Sequence, residues 1–136
     1  MKNRRVELYI DGAARGNPGP AGVGVVIKDA DKKTLKEFCK YIGETTNNVA
    51  EYNALLYGLQ EALLLKADDI CVNVDSELVA RQLTGSYRVR DEKIRPLFEQ
   101  AVHMLNGFKS FEVRRIDRKE NSAADKLANK AINLAV

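Results

Sequence analysis

With 136 residues, 45% hydrophobic and 30% charged, the chain has room for one compact domain over residues 1–136, with a sizeable core and little else. No apolar run reaches the ~18 residues that would span a bilayer, and the charged start from Met1 to Arg5 lacks the apolar stretch of an export signal, so the expected location is the cytoplasm. A net charge of +3 is too small to name a partner by itself. The two distant cysteines and one histidine cannot build a zinc centre without carboxylate help.

Val6, Leu8 and Ile10 alternate with Glu7, Tyr9 and Asp11, the period of a strand. Gly16-Asn17-Pro18-Gly19-Pro20 turns the chain into a second β-rich run, Gly22 to Lys28. A hairpin turn at Asp29 to Lys32 leads into a third strand from Thr34 to Tyr41. Asn47 or Asn48 can cap a long helix that runs to about Lys66. Two adjacent stripes give this helix a wide buried face, one through Val49, Tyr52, Leu56, Leu59 and Leu63, the other through Asn48, Glu51, Leu55, Gly58 and Ala62.

Ile70, Val72 and Val74 then mark a strand that ends in Asp75, followed by a short helix from Ser76 to Leu83 and a loop from Thr84 to Arg90. The next helix turns Ile94, Leu97, Phe98, Ala101 and Leu105 inward. A less regular strand passes through Phe111, Val113 and Ile116, and Asn121 or Ser122 caps a final helix. Three strands, helix, strand, two helices, strand and helix predict an α/β fold with a mixed sheet. Cys39 and Cys71 fall in strand-like segments, as buried reduced thiols do.

Four carboxylates stand apart by position. Asp11 and Asp75 each end a strand, with apolar residues one, three and five places before them, so both project from the opposite face of the sheet. If the two strands are parallel neighbours, these side chains converge at the carboxyl edge, where open α/β sheets place their sites. Glu51 points inward from the first turn of the long helix, and Asp125 lies in the first turn of the last one, beside Ala123 and Ala124. Gathered like charges repel, and hard divalent cations with oxygen ligands relieve the repulsion, so the set suggests Mg²⁺ or Mn²⁺. Plainer explanations stand beside this one: Asp75 as a helix cap, Asp125 as a partner of a helix dipole, Asp11 as the opening of a turn with Gly12. Glu51 resists such an explanation, because an unpaired inward glutamate is costly.

Four segments make a family resemblance. Tyr9-Ile10-Asp11-Gly12-Ala13-Ala14-Arg15-Gly16-Asn17-Pro18-Gly19-Pro20 resembles the opening signature of type 1 ribonucleases H. Thr45-Thr46-Asn47-Asn48-Val49-Ala50-Glu51-Tyr52, Val74-Asp75-Ser76-Glu77 and Asn121-Ser122-Ala123-Ala124-Asp125-Lys126 resemble the second, third and fourth motifs, in family order over nearly the whole chain. The resemblance implies a five-stranded mixed sheet, three antiparallel strands then two parallel ones, flanked by helices. It implies that Asp11, Glu51, Asp75 and Asp125 are catalytic metal ligands for two ions, one activating the attacking water and the other stabilising the departing 3′ oxygen. The activity implied is endonucleolytic cleavage of the RNA strand of an RNA–DNA hybrid, leaving 5′-phosphate and 3′-hydroxyl ends. Gly12, Ala13, Asn17, Thr46, Asn47 and Asn48 match positions that hold substrate in the family, and neutral amides suit 2′-hydroxyls in a shallow minor groove.

The chain also departs from the family pattern. The loop Arg115-Ile116-Asp117-Arg118-Lys119-Glu120 has no histidine where many members carry one, and His103 falls in a helix instead. Arg118 is the candidate substitute among the catalytic residues, with Lys119 second. Thr84 to Arg90 is too short for the basic helix that grips the hybrid in some members, and no separate hybrid-binding domain is expected. Basic residues cluster around Tyr87 (Arg81, Arg88, Arg90, Lys93, Arg95) and again at Arg114, Arg115, Arg118 and Lys119; they serve either as solvated surface or as phosphate contacts. Alternatives to hybrid cleavage are a relative that also cuts double-stranded RNA or RNA–DNA junctions, and a silent nucleic-acid-binding module. A monomer is expected.

Overall fold

The computed structural model describes residues 4–136, so the charged start at Met1 to Asn3 lies outside the described residues. Three long strands open the domain: β1 (Arg5–Ala14), β2 (Gly19–Asp29) and β3 (Thr34–Thr45). They are followed by α1 (Asn47–Leu64), β4 (Asp69–Val74), α2 (Glu77–Leu83), α3 (Arg95–Leu105), β5 (Ser110–Arg115) and α4 (Ser122–Ala135), the last entered through a 3₁₀ turn at Arg118–Asn121.

The five strands form one sheet in the order β3-β2-β1-β4-β5. β1 pairs antiparallel with β2, and β2 with β3. β1 and β4, like β4 and β5, run parallel. The sheet is therefore the mixed one expected, with α1 as the crossover that carries the chain from β3 to β4. β1 continues three residues past Asp11, paired there with β2 alone, since its pairing with β4 stops at Tyr9 opposite Asn73. Asp11 is thus inside its strand, yet it sits just beyond the parallel pairing.

Burial explains how the helices attach. Val6, Leu8, Ile10, Val23, Val25, Ile27, Ile70, Val72 and Val74 are all essentially inaccessible and form one core with Tyr52, Leu55 and Leu59 of α1. Ala101 and Leu105 of α3, with Ile94 at its N-cap, close that core, and Leu97 and Phe98 pack against it half-buried. On the other face α4 packs across β2, β1 and β3. Its contact stripe is small, Ala124, Ala128 and Ala131 with Ile132, and it meets a sheet without side chains at Gly22 and Gly24. A Cβ at Gly24 would stand 2.1 Å from the carbonyl oxygen of Ala124, so only glycine lets the helix lie this close.

Several local expectations are corrected. The cap of α1 is Thr46, whose hydroxyl accepts the N–H of Val49 at 3.3 Å; neither Asn47 nor Asn48 fills that role. The helix stops short of Lys66, which takes a left-handed backbone (φ 60) while Ala67 N–H reaches back to Ala62 O at 3.1 Å. β3 extends to Thr45, four residues beyond its expected end at Tyr41, and β2 begins at Gly19 instead of Gly22. Asn121 holds the N-cap position of α4, but its side chain makes no capping bond. Cys71 is buried, whereas Cys39 is only half-buried, and both are free thiols.

Candidate active site

The carboxyl edge of β1 and β4 receives side chains from four elements. Asp11 lies opposite Gly24 of β2, on the face that α4 covers. Asp75 follows the last residue of β4, and Asp125 sits in the first turn of α4. Glu51 reaches the edge from the first turns of α1 because Gly12 lets helix and strand touch: a Cβ at Gly12 would fall 2.2 Å from the Ala50 backbone. In the space that this absence leaves, the Gly12 N–H donates to Glu51 Oε1 at 2.6 Å.

Carboxylate oxygens of Asp11, Glu51 and Asp75 all lie within 4.8 Å of one another. Asp125 stands outside that trio and is partly buried, and its charge is felt at Asp11. Asp11 is 5% exposed and Glu51 6%. None of the ion pairs among the described residues includes any of the four.

Electrostatics follow from this crowding. Burial pushes the Asp11 carboxyl up to about 7, helped by repulsion from Asp75 and Asp125 and opposed by a hydrogen bond with Glu51. Burial also raises Glu51 well above the ordinary carboxylate range, and the neighbouring Asp11 charge adds to it. Both acids are thus harder to ionise than an exposed carboxylate while no cation is bound. The second Glu51 oxygen, Oε2, is buried with no hydrogen-bond partner. An orphaned buried oxygen beside two further carboxylates is a donor set that fits a hard divalent cation.

Neutral amides hold the acids in place. Asn121, 1% exposed, donates from Nδ2 to the Ile10 carbonyl at 2.8 Å and to Asp75 Oδ2 at 3.1 Å. Asn129 Nδ2 donates to the Asp125 carbonyl at 3.0 Å and, at 3.4 Å, to its Oδ1. Sequence reasoning treated Asn121 only as a cap and did not single out Asn129. For Asn129 the available signal was its place four residues after an expected acidic ligand on the same helix.

A cleft of about 400 Å³ opens over the acids. Gly12, Ala13, Asn47 and Asn48 line one wall, and Ser76, Arg115 and Arg118 contribute to the rest. Asn17 and Thr46, also expected at the substrate, stand behind this wall. Asn17 Oδ1 accepts the Asn47 N–H at 3.1 Å, Asn47 Oδ1 accepts the Ala14 N–H at 2.8 Å, and Thr46 caps the helix. Arg115 is 3.5 Å from Asp117, while Arg118 has no ion-pair partner among the described residues. Lys119 is not among the lining residues. His103 is exposed near the end of α3, away from the cleft. Of the other basic cluster, Arg81 is committed to Glu77 at 2.9 Å and lies over the Tyr87 ring.

Comparison with known proteins agrees with this geometry. Residues 9–131 match a family model described as reverse transcriptase-like. The chain is 43% identical to ribonuclease HI of Halobacterium salinarum over 129 residues, 95% of this chain and 65% of that protein. It is 34% identical to ribonuclease H of Albidiferax ferrireducens, over 96% of both chains. The crystal structure of the halobacterial RNase H1 superposes with a TM-score of 0.93, covering 95% of this chain and 98% of that one. The compost-derived LC11-RNase H1, crystallised in complex with an RNA/DNA hybrid, superposes at 0.90 with 43% identity, covering 96% and 98%. The chain spans 65% of the length of the halobacterial relative and 36% of the length of mycobacterial relatives 41% identical to it. Fold, motif order and relatives agree, and the chain belongs to the ribonuclease H family, type 1.

Proposed function

We propose that the protein is an endoribonuclease that hydrolyses the RNA strand of RNA–DNA hybrids, with Asp11, Glu51, Asp75 and Asp125 as ligands for two divalent cations, Mg²⁺ or Mn²⁺. The observation that carries this reading is the trio of mutually close carboxylates at the floor of a cleft, none of them in an ion pair among the described residues. Two bound cations would supply Lewis acidity at a scissile phosphate, favouring attack by water and departure of the 3′ oxygen, with 5′-phosphate and 3′-hydroxyl products.

The chain's own residues do the remaining work. Asn47 and Asn48 present neutral amides to the cleft, suited to the 2′-hydroxyls and base edges that distinguish a hybrid's shallow minor groove. Asn17 and Thr46 act through them, by fixing the start of α1 against β1. The backbone at Gly12 and Ala13 contributes close approach without side-chain bulk. Arg118 brings an unpaired positive charge to the rim, and we assign it to the phosphate near the leaving group, in place of the loop histidine. All four acids come from one chain, so a monomer carries a whole site over residues 1–136. Two free thiols suit the reducing cytosol, which this reading takes as the location. Among the described residues no helix is long and apolar enough to cross a membrane.

The test is an assay of end-labelled hybrid, double-stranded RNA, double-stranded DNA and single strands, each with Mg²⁺, Mn²⁺ or EDTA. Cleavage of the hybrid's RNA strand, dependent on metal, is expected. Cleavage that survives EDTA, or its absence with both metals from neutral to alkaline pH, contradicts the reading.

A further inference from the structure

Two of the acids in the trio and one beside it are held in the same manner. Glu51 receives the Gly12 N–H, Asp75 receives the Asn121 amide, and Asp125 receives the weaker Asn129 amide. A donor that is polar but uncharged fixes a carboxylate without cancelling its charge. A lysine or arginine in its place would compete with the cation and weaken its binding. In each case one carboxylate oxygen is engaged and the other stays free.

Asn121 does more than the other two donors. It is 1% exposed, and its amide spans residues 111 and 46 positions away, the Ile10 carbonyl and Asp75 Oδ2. Ile10 precedes Asp11, and Asn121 itself stands at the start of the helix that carries Asp125. One side chain thus ties together the three elements that deliver Asp11, Asp75 and Asp125. As a cap it would be wasted, since it makes no capping bond. We infer that Asn121 is a positioning residue, which aims Asp75 at the cation site and locks the three acid-bearing elements to one another. The inference rests on the proposed metal-dependent reading, but it concerns cation binding and can be tested without nucleic acid.

The experiment is a Mg²⁺ titration of the full chain, followed by melting temperature, for wild type, Asn121→Ala, Asp75→Asn and the double variant. Loss of a second-layer hydrogen bond weakens metal affinity by about ten-fold or more, so Asn121→Ala should move the Mg²⁺ midpoint upward by that factor. In the Asp75→Asn background the same substitution should move it by a clearly smaller factor, because the carboxylate that Asn121 engages directly is already gone. A purely structural asparagine gives another pattern, in which the melting temperature falls equally with and without Mg²⁺, the midpoint stays put, and the two substitutions add. That pattern overturns the inference. If Asn121→Ala does not fold, the side-chain amide resonance of Asn121 in wild type takes over. It should shift on Mg²⁺ addition and lose that response in Asp75→Asn; an unresponsive resonance overturns the inference. Hybrid cleavage by wild type is read in parallel. An active wild type with an unmoved midpoint removes the role of Asn121 alone, whereas an inactive wild type with a moved midpoint removes the nuclease reading and leaves the positioning role.

Discussion

The first half of β1 and the middle of β5 carry charged side chains, as the carboxyl edge does, yet the two regions treat charge in opposite ways. On the strands, Glu7 lies 3.3 Å from Arg5, and Glu112 lies 3.3 Å from Arg114. Glu7 lines an open polar hollow of about 490 Å³ together with Arg5 and Arg114. At the carboxyl edge Asp11 and Glu51 are buried, and neither forms an ion pair among the described residues. Exposed pairs of the first kind contribute about 0–1 kcal/mol and can be lost with little effect. Buried, unpaired acids of the second kind cost stability until something neutralises them. The contrast separates surface charge from site charge without reference to any relative.

Activity should show the largest difference between the two regions. Asp11→Asn removes a buried charge from the cleft and should lower the turnover of hybrid by about 10²–10³-fold, the usual loss for a group that stabilises transition-state charge. Glu7→Gln, in the paired region, should leave turnover unchanged. A single-turnover assay of both variants checks this, and equal losses would erase the distinction.

The response of stability to pH should follow. In metal-free protein the Asp11 carboxyl stands at about 7 and Glu51 is raised too, both chiefly by burial. A carboxyl whose folded pKa exceeds its unfolded value binds protons more tightly when folded, so the stabilisation is complete below the unfolded value near 4. It is lost as pH rises through the folded value. Urea unfolding in EDTA should therefore show stability falling between pH 4 and 7, by on the order of a few kcal/mol. Saturating Mg²⁺ should flatten this slope. A slope that Mg²⁺ leaves unchanged would assign it to other groups.

Packing sharpens the comparison from another side. Gly24→Ala places a methyl against the Ala124 carbonyl, and such overpacking costs about 1–3 kcal/mol. Because α4 also carries Asp125, Mg²⁺ stabilisation should weaken along with the fold. A Gly24→Ala protein that melts lower but binds Mg²⁺ normally would show that α4 yields without moving the acid. A smaller effect is expected of Arg118→Ala, which should lower turnover more than hybrid affinity. A rise in the Michaelis constant alone would make Arg118 a plain phosphate contact.

What the sequence made legible follows the reach of local periodicity. The alternation through Val6, Leu8 and Ile10, and again through Ile70, Val72 and Val74, was enough to bring Asp11 and Asp75 to one edge, and the stripes of α1 were enough to turn Glu51 inward. Thr46 escaped because three adjacent residues could each cap the helix, and only the demand of Ala14 N–H for Asn47 decides among them. The end of α1 escaped because Lys66, with no glycine or asparagine to announce it, takes the left-handed turn. β3 escaped because it is an exposed edge strand whose register with β2 shifts at Ala21/Gly22 and Ile27/Lys28, which blurs any two-residue pattern. Asn121 escaped for the plainest reason: its partners lie 111 and 46 residues away, and no local spacing encodes them.

The central claim is that the acids at the edge repel one another until a divalent cation binds, and thermal melting of Asp75→Asn tests it most directly, with Glu7→Gln as control. Repulsion from Asp75 is among the causes that raise both Asp11 and Glu51, so removing it at nearly constant shape should raise the melting temperature in EDTA at neutral pH. A gain of about 1 kcal/mol would move a domain of this size by several degrees. Excess Mg²⁺ should then stabilise wild type and Glu7→Gln more than Asp75→Asn, because only they keep the full ligand set. The contradicting result is an Asp75→Asn protein that melts lower in EDTA and gains as much from Mg²⁺ as wild type does.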